Sequence, residues 1–530
     1  MNFIEASVII LFLAIVTVPL AKRFHLPLEI FLVIGSGIVG LIPGLPIVRI
    51  DPVIVFKLFL PPILFYAAYF TSWQEFKKNI RPISLLAFGL VIFTTVLVAV
   101  VAHYLIPGFS WGMAFILGAI LSPTDASSSV AIIKKLGAHR RIVTILEGES
   151  LVNDATALIL FRFSLAAVLL GTYSISDAIL NFFLFLIGGA LVGFILGYIA
   201  VFILRKINDS QAETTFTFII AFASYLLSEQ MHCSGVIATV VCGIYFGRKL
   251  PIYAASETKI TAKSSWKTLI FVVNGFVFTL IGLQLPQIIK DLKGYSIMSL
   301  IQYSVIIILA VIVSRLIWVY PAAYLPRKLI PPIGRRDPMP PLSMLFIIGW
   351  TGMRGIVSFA AALSIPFQIQ FGVAFPNRNL ILFLTYCVVV ATLFIPTLTL
   401  PFLIPALKLT EDPSLKLKEE ASARIRALEG VIDRISELVK KEKIPNHLFE
   451  EFRKQIERRL EILRTQLDET PYSTLNKEYS GLKKLALTAI ASEKETLNNL
   501  RKSGEIRDEI FHKLSDELDL EEVRARSIRL

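Results

Sequence analysis

Glu147-Gly148-Glu149-Ser150-Leu151-Val152-Asn153-Asp154 interrupts a largely apolar segment running from about Ile142 to Leu170. An ionisable group in hydrocarbon costs at least a few kcal/mol, so the default reading of such a group is functional. A second polar interruption, Ser122-Pro123-Thr124-Asp125, lies in the apolar run from Gly112 to Ile133. The expectation that organises the chain is that these two stretches meet at mid-membrane and form a cation and proton site.

Composition sets the frame for that expectation. Of 530 residues, 55% are hydrophobic and only 18% charged, with a mean hydropathy of +0.68. That excess excludes a soluble enzyme and fits a polytopic membrane protein. The net charge of +13 does not point to nucleic acid, because the basic residues of the apolar part cluster in alternate short loops; contact with anionic membrane lipid is compatible with it. Cys233, Cys242 and Cys387 are scattered in or beside apolar runs and suggest neither a disulfide framework nor a metal site. No Ser/His/Asp or Cys/His constellation stands out, so we expect no enzyme activity and no cofactor. The N-terminal run lacks a basic leader and a convincing cleavage site, and reads as a retained first span.

Apolar runs of about 20 residues, each long enough to span a bilayer, recur near 3–21, 27–44, 52–71, 82–106, 111–133, 142–171, 174–204, 212–229, 233–248, 266–285, 296–322, 340–366 and 379–407. The expected fold is therefore all-α with about 13 transmembrane helices over residues 1–407. A charged, helix-favouring tail follows over residues 408–530. One set of alternate loops carries Lys22, Arg23, Lys77, Lys78, Arg81, Lys134, Lys135, Arg140 and Arg141, and continues to Arg335 and Arg336. The other set holds only Arg49, Lys290, Lys293 and Arg378. The positive-inside rule then places the N-terminus outside and the tail in the cytoplasm. In the tail, Leu448-Phe452-Ile456-Leu460-Leu463 and the run from Glu505 to Arg529 pattern as amphipathic helices, with breaks at Pro445 and Pro471.

Two spans are interrupted. One breaks at Ser122-Pro123-Thr124-Asp125, where Pro123 removes a backbone donor; the other breaks at Gly349-Trp350-Thr351-Gly352-Met353-Arg354-Gly355. Unwound backbone at membrane depth is tolerated only when buried in protein or lining a cavity. Paired interruptions in corresponding positions of two halves point to a transporter's site and to inverted repeats. An ordinary kink is the plainer alternative, but kinks seldom carry an Asp or an Arg.

Helical geometry arranges the candidates. Ser150 and Asp154 lie one turn apart on one face, with Glu147 a further turn below; Glu149 and Asn153 form a neighbouring stripe. Hard cations want oxygen ligands, and Asp154, Ser150, Asp125 and Thr124 supply a Na+ ligand set if the two spans cross. Burial disfavours the charged form of Asp154, so a proton and a cation compete for it, which is sufficient for exchange. The alternative is a structural acid paired with a buried base. Of the intramembrane arginines, Arg315 is expected to pair with Glu149, and Arg354 to neutralise the helix ends at the crossover. Arg162 lies about 12 Å along the helix from Asp154 and is expected to reach toward the outer interface.

These segments resemble the sodium/proton exchangers of the monovalent cation–proton antiporter superfamily, in the branch with an Asn-Asp pair in the key span. The resemblance rests on Ser122 to Asp125, Glu147 to Asp154, Ser234-Gly235-Val236, Cys242 to Gly247, Leu280 to Gln284 and Gly352 to Ser358. It implies an inverted-repeat fold with two broken crossing helices, a homodimer in the cell (inner) membrane, and elevator-like movement of a core bundle. It further implies that Asp154 carries cation or proton with Asn153 and Ser150 assisting, that Thr124 and Asp125 complete the crossover site, and that exchange of Na+ for H+ is electroneutral. The chain departs from the pattern at Tyr66, where members often carry an acid after Pro61-Pro62, and at Ser127-Ser128-Ser129, which replace a more apolar run. Both changes bear on ion choice, so K+ (or Li+) in place of Na+ is the runner-up. A cation channel or sensor would want a continuous polar pore, whereas the polar breaks here are isolated.

Overall fold

The computed structural model describes residues 3–24, 27–41, 55–170, 175–290, 292, 294–332, 337–369, 373–442, 445–468, 472–503 and 506–527. Arg49, Lys293, Arg335, Arg336, Pro471, Glu505 and Arg529 lie outside the described residues. Two compact units are present, Met1–Thr410 and Glu411–Leu530.

The first unit is helical, and its described residues add only the isolated bridges Ala138–Thr410 and Gln368–Ala374. Its helices are α1 (Phe3–Phe24), α2 (Leu28–Gly40), α3 (Leu60–Tyr69), α4 (Trp73–Lys78), α5 (Ile80–Leu105), α6 (Trp111–Leu121), α7 (Ser127–Lys135), α8 (Arg140–Leu170), α9 (Ile175–Leu204), α10 (Ser210–Gln230), α11 (Gly235–Tyr253), α12 (Ser256–Leu283), α13 (Leu285–Lys290), α14 (Ile297–Leu329), α15 (Leu342–Trp350), α16 (Ile356–Leu363) and α17 (Arg378–Ala406). Among the described residues seven helices are long and apolar enough to cross a membrane, and three shorter helices are apolar too. The long helices form because a bilayer leaves backbone N–H and C=O groups no partner but each other. Their outward faces are apolar as lipid requires: α9 exposes Phe183, Leu184, Ile187, Leu191 and Phe194.

α8 is the centre of the unit, in contact with α5, α6, α7, α11, α15 and α16. Both interrupted segments lie against it. α6 and α7 are one apolar run divided at residues 122–126, and α15 and α16 are another divided at 351–355. The second break starts later than the pattern of glycines suggests. Gly349 and Trp350 remain helical because Thr351 N–H still donates to Ile347 O at 3.0 Å, and the Trp350 indole is anchored on Thr399 Oγ1 at 2.7 Å.

At one end of the bundle, Asp337 ties three elements together. Its carboxylate accepts from Arg81 (2.5 Å), Arg141 (2.8 Å) and Arg327 (2.6 Å). Partial burial pushes the Asp337 carboxyl up, but the Arg141 hydrogen bond and the three guanidinium charges outweigh it and hold it below the usual carboxylate range.

The second unit contains α18 (Pro413–Glu442), α19 (Asn446–Asp468), α20 (Tyr472–Lys502) and α21 (Asp508–Ser527). α18 and α19 pack through Ile425, Ile456 and Leu460, and α20 and α21 through Ile490, Leu518 and Ala525. The apolar stripe read on α19 is therefore only half used. Leu448 and Phe452 are about half exposed, because the buried cluster begins a turn later, at Ile456.

Candidate functional site

The two breaks cross in direct contact. Asp125 N–H donates to Met353 O at 2.8 Å, and Arg354 Nε–H donates to Leu121 O at 3.0 Å. Arg354, 1% exposed, also donates to Gly352 O, while its backbone N–H reaches Thr392 Oγ1 on α17 at 3.1 Å. The guanidinium thus sits on the carbonyl end of α6, where a positive charge is favourable. Gly355 is required by this proximity: a Cβ there would lie 2.2 Å from Asp125 Oδ2. The Asp125 carboxylate accepts from Ser127 N–H, at the start of the second half-helix, at 2.9 Å.

From the crossing, the polar residues of α8 divide into two groups. On one side, Arg315 meets Glu149 through both terminal guanidinium nitrogens, Nη2 to Oε2 at 2.8 Å and Nη1 to Oε1. Arg315 Nε–H donates to Ile348 O at 3.0 Å. Thr124 Oγ1 donates to Glu149 at 2.8 Å and accepts from Asn153 Nδ2 at 2.9 Å; the same amide reaches Thr124 O at 3.0 Å. Arg315, Glu149, Thr124 and Asn153 are each at most 4% exposed, so this network is dry. Paired buried charges whose remaining hydrogen-bonding groups are occupied are tolerated, whereas isolated ones are not.

On the other side, Asp154, Ser150 and Glu147 face a cavity of about 430 Å³, together with Asp125, Tyr66, Asn274, Gly355 and Ser358. The cavity runs from exposed Lys134 and Phe70 inward to Asp154. Glu147 at its outer end is paired with Lys134 at 2.6 Å. Ser150 Oγ accepts from Ala126 N–H at 3.4 Å, which leaves a lone pair on the cavity side. Asp154 forms no hydrogen bond or ion pair with a described residue, and the charge of Asp125 is close enough to repel it. An alkali cation between them would relieve that repulsion and find carboxylate and hydroxyl oxygens.

The placement separates residues that sequence spacing treated alike. Asp154, Asp125 and Ser150 share the cavity with Thr124, but the Thr124 hydroxyl is committed to Glu149 and Asn153. Asn153 also belongs to the dry network. Arg162 does not approach Asp154; it pairs with Glu229 near the end of α10 at 2.7 Å. Three features escaped the reading of the sequence. Glu29, in the first turn of α2, interacts with Asp125 and Ser128. Ser358 Oγ is buried without a partner among the described residues. Asn274 is a lone polar residue in the apolar run from Leu269 to Phe278, and that interruption is the signal that would have found it.

With this geometry in place, the comparisons are specific. The sequence profile described as "Sodium/hydrogen exchanger, transmembrane" matches residues 8–405. An uncharacterised Na+/H+ exchanger of Mycobacterium bovis is 30% identical over 95% of this chain and 93% of its own length. A sodium, potassium, lithium and rubidium/H+ antiporter of Bacillus pumilus is 33% identical over 75% of this chain and 61% of its own. The fold is similar to that of the sodium proton antiporter MjNhaP1 from Methanocaldococcus jannaschii, with a TM-score of 0.57 at 18% identity over 77% of this chain and 99% of that one. On the span of the profile and the identity of the relatives, this multi-pass membrane protein belongs to the sodium/hydrogen exchanger family.

Proposed function

We propose that the chain exchanges Na+ for H+ across the cell membrane by alternating access, with both ions competing for Asp154. The observation that carries this reading is the contrast on α8: Glu149 is paired with Arg315 and Thr124, whereas Asp154 has no partner among the described residues and faces the cavity. A buried carboxylate without a partner is relieved either by a proton or by a cation. Each leaves the site without net charge at that position, so either loaded form can move through the bilayer. One proton is replaced by one cation, and the exchange is electroneutral.

The finer architecture belongs to the same reading: about 13 spans arranged as inverted repeats over residues 1–407, a cytoplasmic tail over 408–530, and a homodimer whose core bundle moves. Lys134 at the mouth of the cavity is among the loop residues that the positive-inside rule assigns to the cytoplasm, so the conformation opens inward. Glu149 with Arg315, and Arg354 on the end of α6, hold the crossing together, while Asp154, Ser150 and Asp125 hold the Na+. K+/H+ exchange is the second reading. It is favoured by the phenol of Tyr66 in the cavity wall, and by the Bacillus pumilus relative, whose name includes potassium.

The test uses purified protein in sealed liposomes with an internal pH dye, an imposed pH gradient and a clamped membrane potential. A pH change on adding Na+, indifferent to potential and absent in Asp154→Asn, is the expected result. Full exchange by Asp154→Asn would end the proposal.

A further inference from the structure

The lining of the cavity carries a single carboxamide. Asn274 sits in the apolar middle of α12, between Val273 and Gly275, and lines the same cavity as Asp154 and Ser150. Its neighbours on that wall, Ile270, Ile63 and Leu64, are apolar. Its side chain makes no hydrogen bond with any described residue, and the half-buried residue lines the cavity. A polar side chain at this depth has a cost that packing does not explain. The volume of about 430 Å³ holds on the order of ten water molecules at roughly 30 Å³ each. A cation therefore arrives with much of its hydration shell, and must exchange some of it for protein oxygens before Asp154 can hold it.

We propose that the Asn274 carboxamide oxygen contacts the transported cation as it is seated at Asp154, and so helps to decide which alkali cation is accepted. A neutral carbonyl oxygen suits this task because it is a hard ligand and adds no charge to a site that already holds Asp154 and Asp125. Asp154, Asp125 and Ser150 lie on the crossing and on α8; Asn274 lies on α12. The ligand set is then complete only when α12 stands against the crossing, which makes selection depend on that approach. The inference rests on the exchange reading above and names a further residue for the same site.

The experiment measures two things for the unsubstituted chain, Asn274→Ala, Asn274→Asp and Asp154→Asn. One is the sodium-dependent rise in thermal stability of the purified protein. The other is the KM and Vmax for Na+, Li+ and K+ in liposomes. Asn274→Ala should raise the KM for Na+ on the order of tenfold, leave Vmax within about twofold, and change the Na+ to K+ preference. Asn274→Asp should make exchange depend on membrane potential. A structural role would instead lower stability without altering cation preference, and that result overturns the proposal. Unchanged KM values for all three cations in Asn274→Ala do so too. If the unsubstituted chain is stabilised by Na+ in a way that needs Asn274 but exchanges nothing, the exchange reading fails and the contact stands. If it is neither stabilised nor active, both fall.

Discussion

The two faces of α8 hold carboxylates five positions apart and treat them in opposite ways. Glu149 lies in a buried network, bonded to a guanidinium and a hydroxyl; Asp154 lines the cavity with another acid beside it and, among the described residues, no base paired to it. The lesson is that depth in the membrane does not make an acid functional. A complete set of partners turns it into a joint between helices, and the lack of one leaves it available for a mobile ion.

The contrast can be broken most directly at its centre. Asp154→Asn is expected to reduce exchange to background while the protein still folds, as read by the pH-dye assay and by size-exclusion behaviour. Loss of folding would mean that Asp154 is itself a joint. On the dry face, Arg315→Ala strands Glu149 and should cost about 3–5 kcal/mol of stability, measured as a fall in the midpoint of thermal unfolding. Glu149→Leu combined with Arg315→Met should cost less than that single change, since neither charge is left alone.

Smaller effects sharpen the division. Thr124→Val removes the hydroxyl that donates to Glu149 and should cost about 1–3 kcal/mol with little change in the KM for Na+. Ser150→Ala should do the reverse, raising the KM on the order of severalfold with stability nearly kept; the same effect in both variants would erase the distinction. The smallest effect is expected at Asp337, away from both faces. Its carboxyl is held below the ordinary range by Arg141, Arg327 and Arg81, so its contribution is present above the unfolded value, about 3.9, and fades as pH falls through the folded one. Asp337→Asn should lower stability modestly at neutral pH and flatten the acid limb, as followed by unfolding between pH 3 and 7.

Much of this arrangement is legible in the sequence because a bilayer leaves few options. Apolar runs near 20 residues become helices, and Pro123, or Arg354 flanked by Gly352 and Gly355, marks where helices stop. The pairing of Arg315 with Glu149 follows from the cost of leaving either alone. What is not legible is side-chain direction inside an unwound segment. Thr124 and Ser150 look equivalent as hydroxyl ligands, yet Thr124 turns to Glu149 and Asn153, because no helical period fixes its direction and a buried carboxylate is the strongest acceptor near it. Asn274 was passed over for a different reason: its chemistry depends on which helix faces the cavity, and periodicity along α12 does not reveal that. The stripe on α19 shows the same limit, since apolar spacing at Leu448 and Phe452 does not ensure that a partner helix reaches them.

The bond between Asp125 N–H and Met353 O also has a consequence for biosynthesis. Its two ends are separated by more than two hundred positions of chain. At a synthesis rate of about 5–20 residues per second, the first broken helix waits for tens of seconds before the second exists. During that interval the amide of Asp125 and the carbonyl of Leu121 are without their eventual partners, and Glu149 has Thr124 but waits for Arg315. The nascent half-protein must shelter these groups with water, lipid headgroups or an insertion factor. The ion site is thus assembled late, and a ribosome that stalls before residue 351 releases a membrane protein with its acids in place and no crossing to hold them.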